Sequence, residues 1–173
     1  MRTGGQILVD QLELNGTDLV FCLPGESFLP VLDALYDSPI RLVTCRHEQG
    51  AANAAEAYGK LTGRPGACLV TRGPGATQAA VGVHTARQDS TPMLLLVGQV
   101  PRAFRGREAW QEIDYAQTFD GIAKAAWEID SAERIPEHMA RAFALALSGR
   151  PGPVVLALPE DVLAETADVT DGA

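Results

Sequence analysis

Short, almost unbroken apolar runs recur along this chain, at Leu19 to Leu23, Ala67 to Thr71, Met93 to Val97 and Val154 to Leu158. A strand with one face in water alternates apolar and polar residues, whereas a strand covered on both faces does not. Segments with helical spacing separate these runs, and proline or glycine marks most junctions. The pattern predicts an α/β, doubly wound, three-layer domain with a parallel sheet of about six strands.

The remaining elements follow from the same reading. Helices are expected over Gln6 to Leu14, Phe28 to Tyr36, His47 to Thr62, Ala76 to Gln88 and Pro136 to Leu147, with further strands over Ile40 to Cys45 and within Ile122 to Ile129. Asn15-Gly16 and Gly63 supply αL-tolerant helix ends. Gln99 to Gly121 has no steady period and reads as a long loop holding short helical pieces. Glu160 to Ala173 is acidic and rich in small residues, and it is expected to end without a packed element. Residues 1–163 are therefore read as the domain, and 164–173 as the start of a linker.

Composition removes several classes of function. The chain has 173 residues, 46% of them apolar, with 22 acidic against 14 basic residues and a formal charge of −8. That balance repels a nucleic-acid backbone, and no basic block offsets it. No apolar run approaches a membrane span. With three cysteines and no recognisable secretory leader, the expected location is cytoplasmic and the thiols are read as buried small hydrophobes. His47, His84 and His138 are too scattered to make a metal site, and neither a phosphate loop nor a G-x-S-x-G elbow is present.

Two connections stand out. Glu48 opens a helix directly after a strand, and Gly73-Pro74-Gly75 follows the strand Ala67 to Thr71, so both should lie at one edge of the sheet. Strand ends of this kind are where open α/β folds bind ligands. The plain reading of Glu48 is an acid stabilised by the amides and dipole of a helix start; the sharper one is a partly buried carboxylate that exchanges a proton with a ligand nitrogen. Gly73-Pro74-Gly75 is read as a turn, one whose backbone suits a flat ring better than a diphosphate. The alanine-rich faces at 51–55 and 76–85 are expected to pack against a second copy or a partner.

Pro24-Gly25-Glu26-Ser27-Phe28-Leu29-Pro30, Arg46 to Ala52, Ala54 to Gly59, Thr62 to Gly66 and Thr71 to Thr77 together resemble the N-terminal, pyrimidine-binding domain of thiamine diphosphate enzymes, nearest the acetolactate synthase group. The resemblance implies that Glu48 hydrogen-bonds N1′ of the cofactor's aminopyrimidine and favours the imino form. That form takes the C2 proton, so that the cofactor can attack a 2-keto acid and release carbon dioxide. It further implies cofactor-binding roles for Gly25, Pro74, Gly75 and Gln78, the last at a position where the family usually has asparagine. Gln111, in Trp110-Gln111-Glu112, is implied to face the reaction centre from the partner subunit, with Trp110 in place of phenylalanine.

The resemblance also sets what should lie elsewhere. The Gly-Asp-Gly segment that holds magnesium and the diphosphate is absent, as is the central domain that binds FAD in some members. The implied partners are a homodimer or tetramer built through this domain, and a diphosphate-binding domain of the same or a second chain. The chain is expected to be either the N-terminal part of a longer carboligase or decarboxylase or one half of a split enzyme. A non-catalytic assembly or regulatory domain is the alternative.

Overall fold

A computed structural model describes residues 1–172. In chain order its elements are β1 (Arg2–Thr3), α1 (Gly4–Leu14), β2 (Leu19–Cys22), α2 (Leu29–Tyr36), β3 (Arg41–Thr44), α3 (Glu48–Thr62), β4 (Gly66–Thr71), α4 (Arg72–Asp89), β5 (Met93–Gln99), α5 (Tyr115–Thr118), β6 (Ala125–Glu128), α6 (Ile135–Leu147), β7 (Pro153–Pro159), α7 (Glu160–Ala164) and β8 (Thr166–Ala167). Six strands form one parallel sheet in the order β3-β2-β4-β5-β7-β6, and β1 pairs with β8 in a separate two-stranded piece.

Alternation along each strand divides the core into two layers. Ala67, Leu69, Leu94, Leu96, Val154 and Leu156 face one layer, with Ile7, Leu8 and Leu12 of α1 and Ile135, Met139 and Phe143 of α6. Cys68, Val70, Leu95, Val97 and Val155 face the other, against Ala51, Ala52 and Ala55 of α3 and Ala79 and Val83 of α4. Both faces of β4, β5 and β7 are thus covered, which is why their sequences carry no polar alternation. Cys22 and Cys68 are fully buried; burial pushes the Cys22 thiol up to about 12 and that of Cys68 well above its usual value. Neither is a ready nucleophile.

Three expectations change. Gly73-Pro74-Gly75 is the first turn of α4, not a turn before it. Proline is tolerated there because the first amides of a helix have no intrahelical acceptor, and the chain reverses at Arg72, whose φ is +43°. The acidic tail is packed: Val162, Leu163 and Ala167 are buried, and β8 runs antiparallel to β1 with Arg2 opposite Ala167. It can approach α1 closely because Gly4 has no Cβ; one there would lie 2.2 Å from the Val162 carbonyl oxygen. The innermost alanines of α3 and α4 pack within the chain, with Gly82 seated on Ala52, so their small size is first a requirement of this helix pair. Among the described residues, no helix is long and apolar enough to cross a membrane.

Candidate functional site

From β2 the chain moves to β3 on one side, then returns to add β4, β5 and β7 on the other, so the connection direction reverses between β2 and β4. In a parallel sheet the loops at such a reversal diverge and leave a crevice beyond the strand ends. The segment after β2 carries Gly25, and the segment after β4 carries Gly73, Pro74 and Gly75. Two of the expected site loops therefore border that crevice.

The first loop is pinned against the end of β4. Gly25 has ordinary extended backbone at φ −150°, so its requirement for glycine comes from space: a Cβ would sit 2.5 Å from Cβ of Thr71. The Ser27 and Thr71 hydroxyls share a 2.7 Å hydrogen bond, and Ser27 is fully buried. A Cβ on Gly98 of β5 would lie 2.0 Å from Ser27 Oγ, so a third strand end is glycine for the same reason.

Glu48 is the first residue of α3, and its predecessor His47 is the N-cap, with Nδ1 accepting from the Gln49 amide at 3.2 Å. The cap is therefore supplied by histidine, which leaves the Glu48 carboxylate free of that duty. It is half-buried, and none of the hydrogen bonds or ion pairs among the described residues involves it. Its Oε1 lies 3.6 Å from the point where a Cβ on Gly75 would be. The same point is 3.2 Å from Val70 Cβ. Absence of a side chain at buried Gly75 thus brings its backbone close to an unpaired carboxylate. Such a pair can accept a flat ring and exchange a proton with one of its nitrogens.

Gln111 joins this region through its backbone. It has φ +66°, and its carbonyl accepts a 2.9 Å hydrogen bond from the Gly73 amide; a Cβ on Gly73 would come within 2.8 Å of that oxygen. Pro74 and Gln78 lie exposed on α4, near Gly75 in the chain, and Trp110 is 74% exposed. Gly25, Gly73, Gly75, Glu48 and Gln111 are thereby linked through neighbouring contacts at one edge of the sheet.

Sequence reasoning missed the groups that hold the segment carrying Gln111. Buried Gln99 donates to the Ile113 carbonyl at 3.2 Å and accepts from the Val100 amide at 2.9 Å. The Glu112 carboxylate accepts from the amides of Gly106 at 2.7 Å and Ala109 at 3.2 Å. These bonds, led by that from Gly106, hold it below the usual carboxylate range. Arg105 bridges Glu112 and Glu128. Burial pushes Glu128 up, against the pull of that arginine, and burial likewise raises Tyr115, whose hydroxyl donates to the Gly98 carbonyl. The polar composition of 99–121 was the only signal, and it does not specify partners.

Comparison with known proteins identifies the family of the domain. The family model described as "Thiamine pyrophosphate enzyme, N-terminal TPP binding domain" matches residues 2–118. A probable acetolactate synthase large subunit of Methanocaldococcus jannaschii is 44% identical over 159 residues, 92% of this chain and 27% of the relative. The acetolactate synthase isozyme 2 large subunit of Escherichia coli is 42% identical over 166 residues, 96% of this chain and 30% of that protein. An acetolactate synthase of Mycobacterium bovis is 44% identical over 162 residues, 93% of this chain and 26% of its own length. The chain thus spans between about a quarter and a third of these curated relatives. An α/β domain with this match over most of its length, and with glycine-bearing segments at the sheet's switch point, belongs to the thiamine pyrophosphate enzyme family as an N-terminal TPP binding domain related to acetolactate synthase large subunits.

Proposed function

We propose that this domain supplies the pyrimidine side of the active site in a thiamine diphosphate-dependent carboligase or decarboxylase acting on 2-keto acids. The observation that carries the reading is the half-buried Glu48 carboxylate, unpaired among the described residues and 3.6 Å from the Cβ position that Gly75 leaves empty. Those residues fit a flat aminopyrimidine: exposed Pro74 offers a wall in front of buried Gly75, Glu48 a proton-exchanging group at its margin, and Gln78 an exposed amide nearby on α4. Gly25, pressed on Thr71, keeps the opposite loop low.

When bound, thiamine diphosphate supplies an acidic C2–H and an electron sink for breaking the bond between a carboxylate and a carbonyl. This chain's part is proton control at the ring nitrogen through Glu48 and positioning of Gln111 toward the reacting centre. The diphosphate, its magnesium ion and any FAD fall to another domain, of the same chain or a second one, and a homodimer or tetramer assembles through the outer faces of α3 and α4. Glu48→Gln in the full-length protein tests the reading. An amide keeps size and a hydrogen bond but does not exchange the proton, so C2 proton exchange, followed by NMR in deuterated water, should slow by about a hundredfold or more. Fold stability should change by on the order of 1 kcal/mol or less. An unchanged exchange rate would return Glu48 to the role of a helix-start acid.

A further inference from the structure

The first turn of α3 carries Glu48 with little else to hold it. Gln49 and Gly50 are exposed, and nothing lies within 4 Å of the Cβ position of Gly50. Fully buried residues begin only at Ala51 and Ala52, about a turn further on. A glycine third in the helix adds backbone freedom where the turn already lacks support.

His47 supplies what that turn lacks. Its carbonyl accepts from the Ala51 amide at 3.1 Å, and its Nδ1 accepts from the Gln49 amide at 3.2 Å. The ring bond spans Glu48, joining the residue before it to the residue after it. The start of α1 is held twice over: the Thr3 hydroxyl accepts from the Gln6 amide, and the Gln6 side-chain oxygen accepts from the Thr3 amide. In α3 the third position is Gly50, which has no side chain to return such a bond, so His47 is the whole cap. Histidine is outside the usual choice of Ser, Thr, Asp or Asn for an N-cap. Aspartate at 47 would set a second carboxylate beside Glu48 and raise the proton affinity of both, whereas an imidazole that accepts at Nδ1 is neutral.

We infer that His47 is a positioning residue for the proposed reaction: its ring cap fixes the first turn of α3, so that the Glu48 carboxylate keeps its place beside Gly75. The inference rests on the proposed role of Glu48, and His47 acts on the cofactor's ring nitrogen only through that carboxylate.

The test compares His47→Ala, which removes the acceptor, with His47→Asn, which puts a favoured one in its place. In the full-length protein saturated with thiamine diphosphate and magnesium, C2 proton exchange should slow about two- to fivefold in His47→Ala, as expected when a marginal turn loses a cap worth a factor of about five. His47→Asn should recover most of that loss. A role in stability alone would lower the Tm of His47→Ala and leave C2 exchange at saturation untouched. In the chain itself, without cofactor, solvent exchange at the Gln49 amide measured by NMR should quicken by a similar factor in His47→Ala and not in His47→Asn. C2 exchange as fast in His47→Ala as in the parent, or no faster in His47→Asn than in His47→Ala, would overturn the inference. Should His47→Ala fail to fold, an unprotected Gln49 amide in the unaltered chain would overturn it without any variant. Slow C2 exchange in Glu48→Gln with normal exchange in His47→Ala would sink this inference alone, whereas normal exchange in Glu48→Gln would sink the proposed function with it.

Discussion

Gly82 sits inside α4 facing Ala52 of α3, and Gly82→Ala sets two calculable effects against each other. Intrinsic helix propensity favours alanine over glycine in a helix interior by about 1 kcal/mol. Against this, the added Cβ would lie 2.6 Å from Ala52 Cβ, 2.7 Å from its carbonyl carbon and 2.9 Å from its oxygen. Carbon pairs rest at about 3.5–4.0 Å, so the helices must separate by roughly 1 Å. Two of the three obstacles are backbone atoms, and Ala52 is fully buried, so no rotamer change relieves the clash. Overpacking of this kind costs about 1–3 kcal/mol, and the rigid surroundings place it at the upper end. The net expectation is a loss of about 1–2 kcal/mol, or a fall in Tm of roughly 2–8 °C for a domain of this size. Gly50→Ala on α3 is the control: nothing lies within 4 Å of its Cβ position, and a gain of about 0.4–1 kcal/mol is expected. Urea and thermal unfolding followed by circular dichroism measure both. A Gly82→Ala variant as stable as the parent would show that α3 and α4 are not held together as closely as described, and the reasoning would be wrong.

Gly75→Ala should leave stability within about 1 kcal/mol, because its nearest contact is 3.2 Å and only a slight shift of Val70 is needed, yet lower thiamine diphosphate affinity of the full-length protein at least about tenfold by calorimetry. Light scattering of the chain should show association that Val81→Glu, at a half-exposed position on the outer face of α4, weakens; a monomer at every concentration would argue against that interface. Glu112 predicts an acid-sensitive segment: its folded pKa lies below its ordinary value, so its stabilising contribution is present above about pH 4.3 and is lost as pH falls through the lowered value. Hydrogen exchange at Gly106 and Ala109, corrected for intrinsic rate, should therefore rise in that acidic window and not near neutrality.

The sheet was legible because β4, β5 and β7 are covered on both faces, and full burial leaves an apolar run that needs no knowledge of partners. Glu48 and Gly75 were legible as a pair for a related reason: parallel strands deliver their following segments to one edge. The start of α4 was not, since Gly-Pro-Gly has the composition of a turn, and nothing in the sequence marks Arg72, which has φ +43°, as the first residue of the helix. The steric need for glycine at 25, 66, 82 and 98 left no local mark, because each is fixed by an atom distant in sequence; a Cβ on Gly66 would lie 1.9 Å from the Ala55 carbonyl oxygen. The network of Gln99, Arg105, Glu112 and Glu128 escaped notice for the same reason, because polar partners separated by a loop leave no periodic trace.

The pairing of β1 with β8 closes residues 2–167 into a ring, with Arg2 opposite Ala167 and Thr3 opposite Thr166. Arg2 adds ion pairs to Asp10 and Asp171 and a hydrogen bond to the Val169 carbonyl. Contacts so remote in sequence return little until the intervening chain is already folded, since the entropy of closing the loop must be met first. This clasp is therefore expected to assemble after the sheet and to open before it, so the amides of 2–3 and 166–167 should exchange their hydrogens faster than those of β4 and β5.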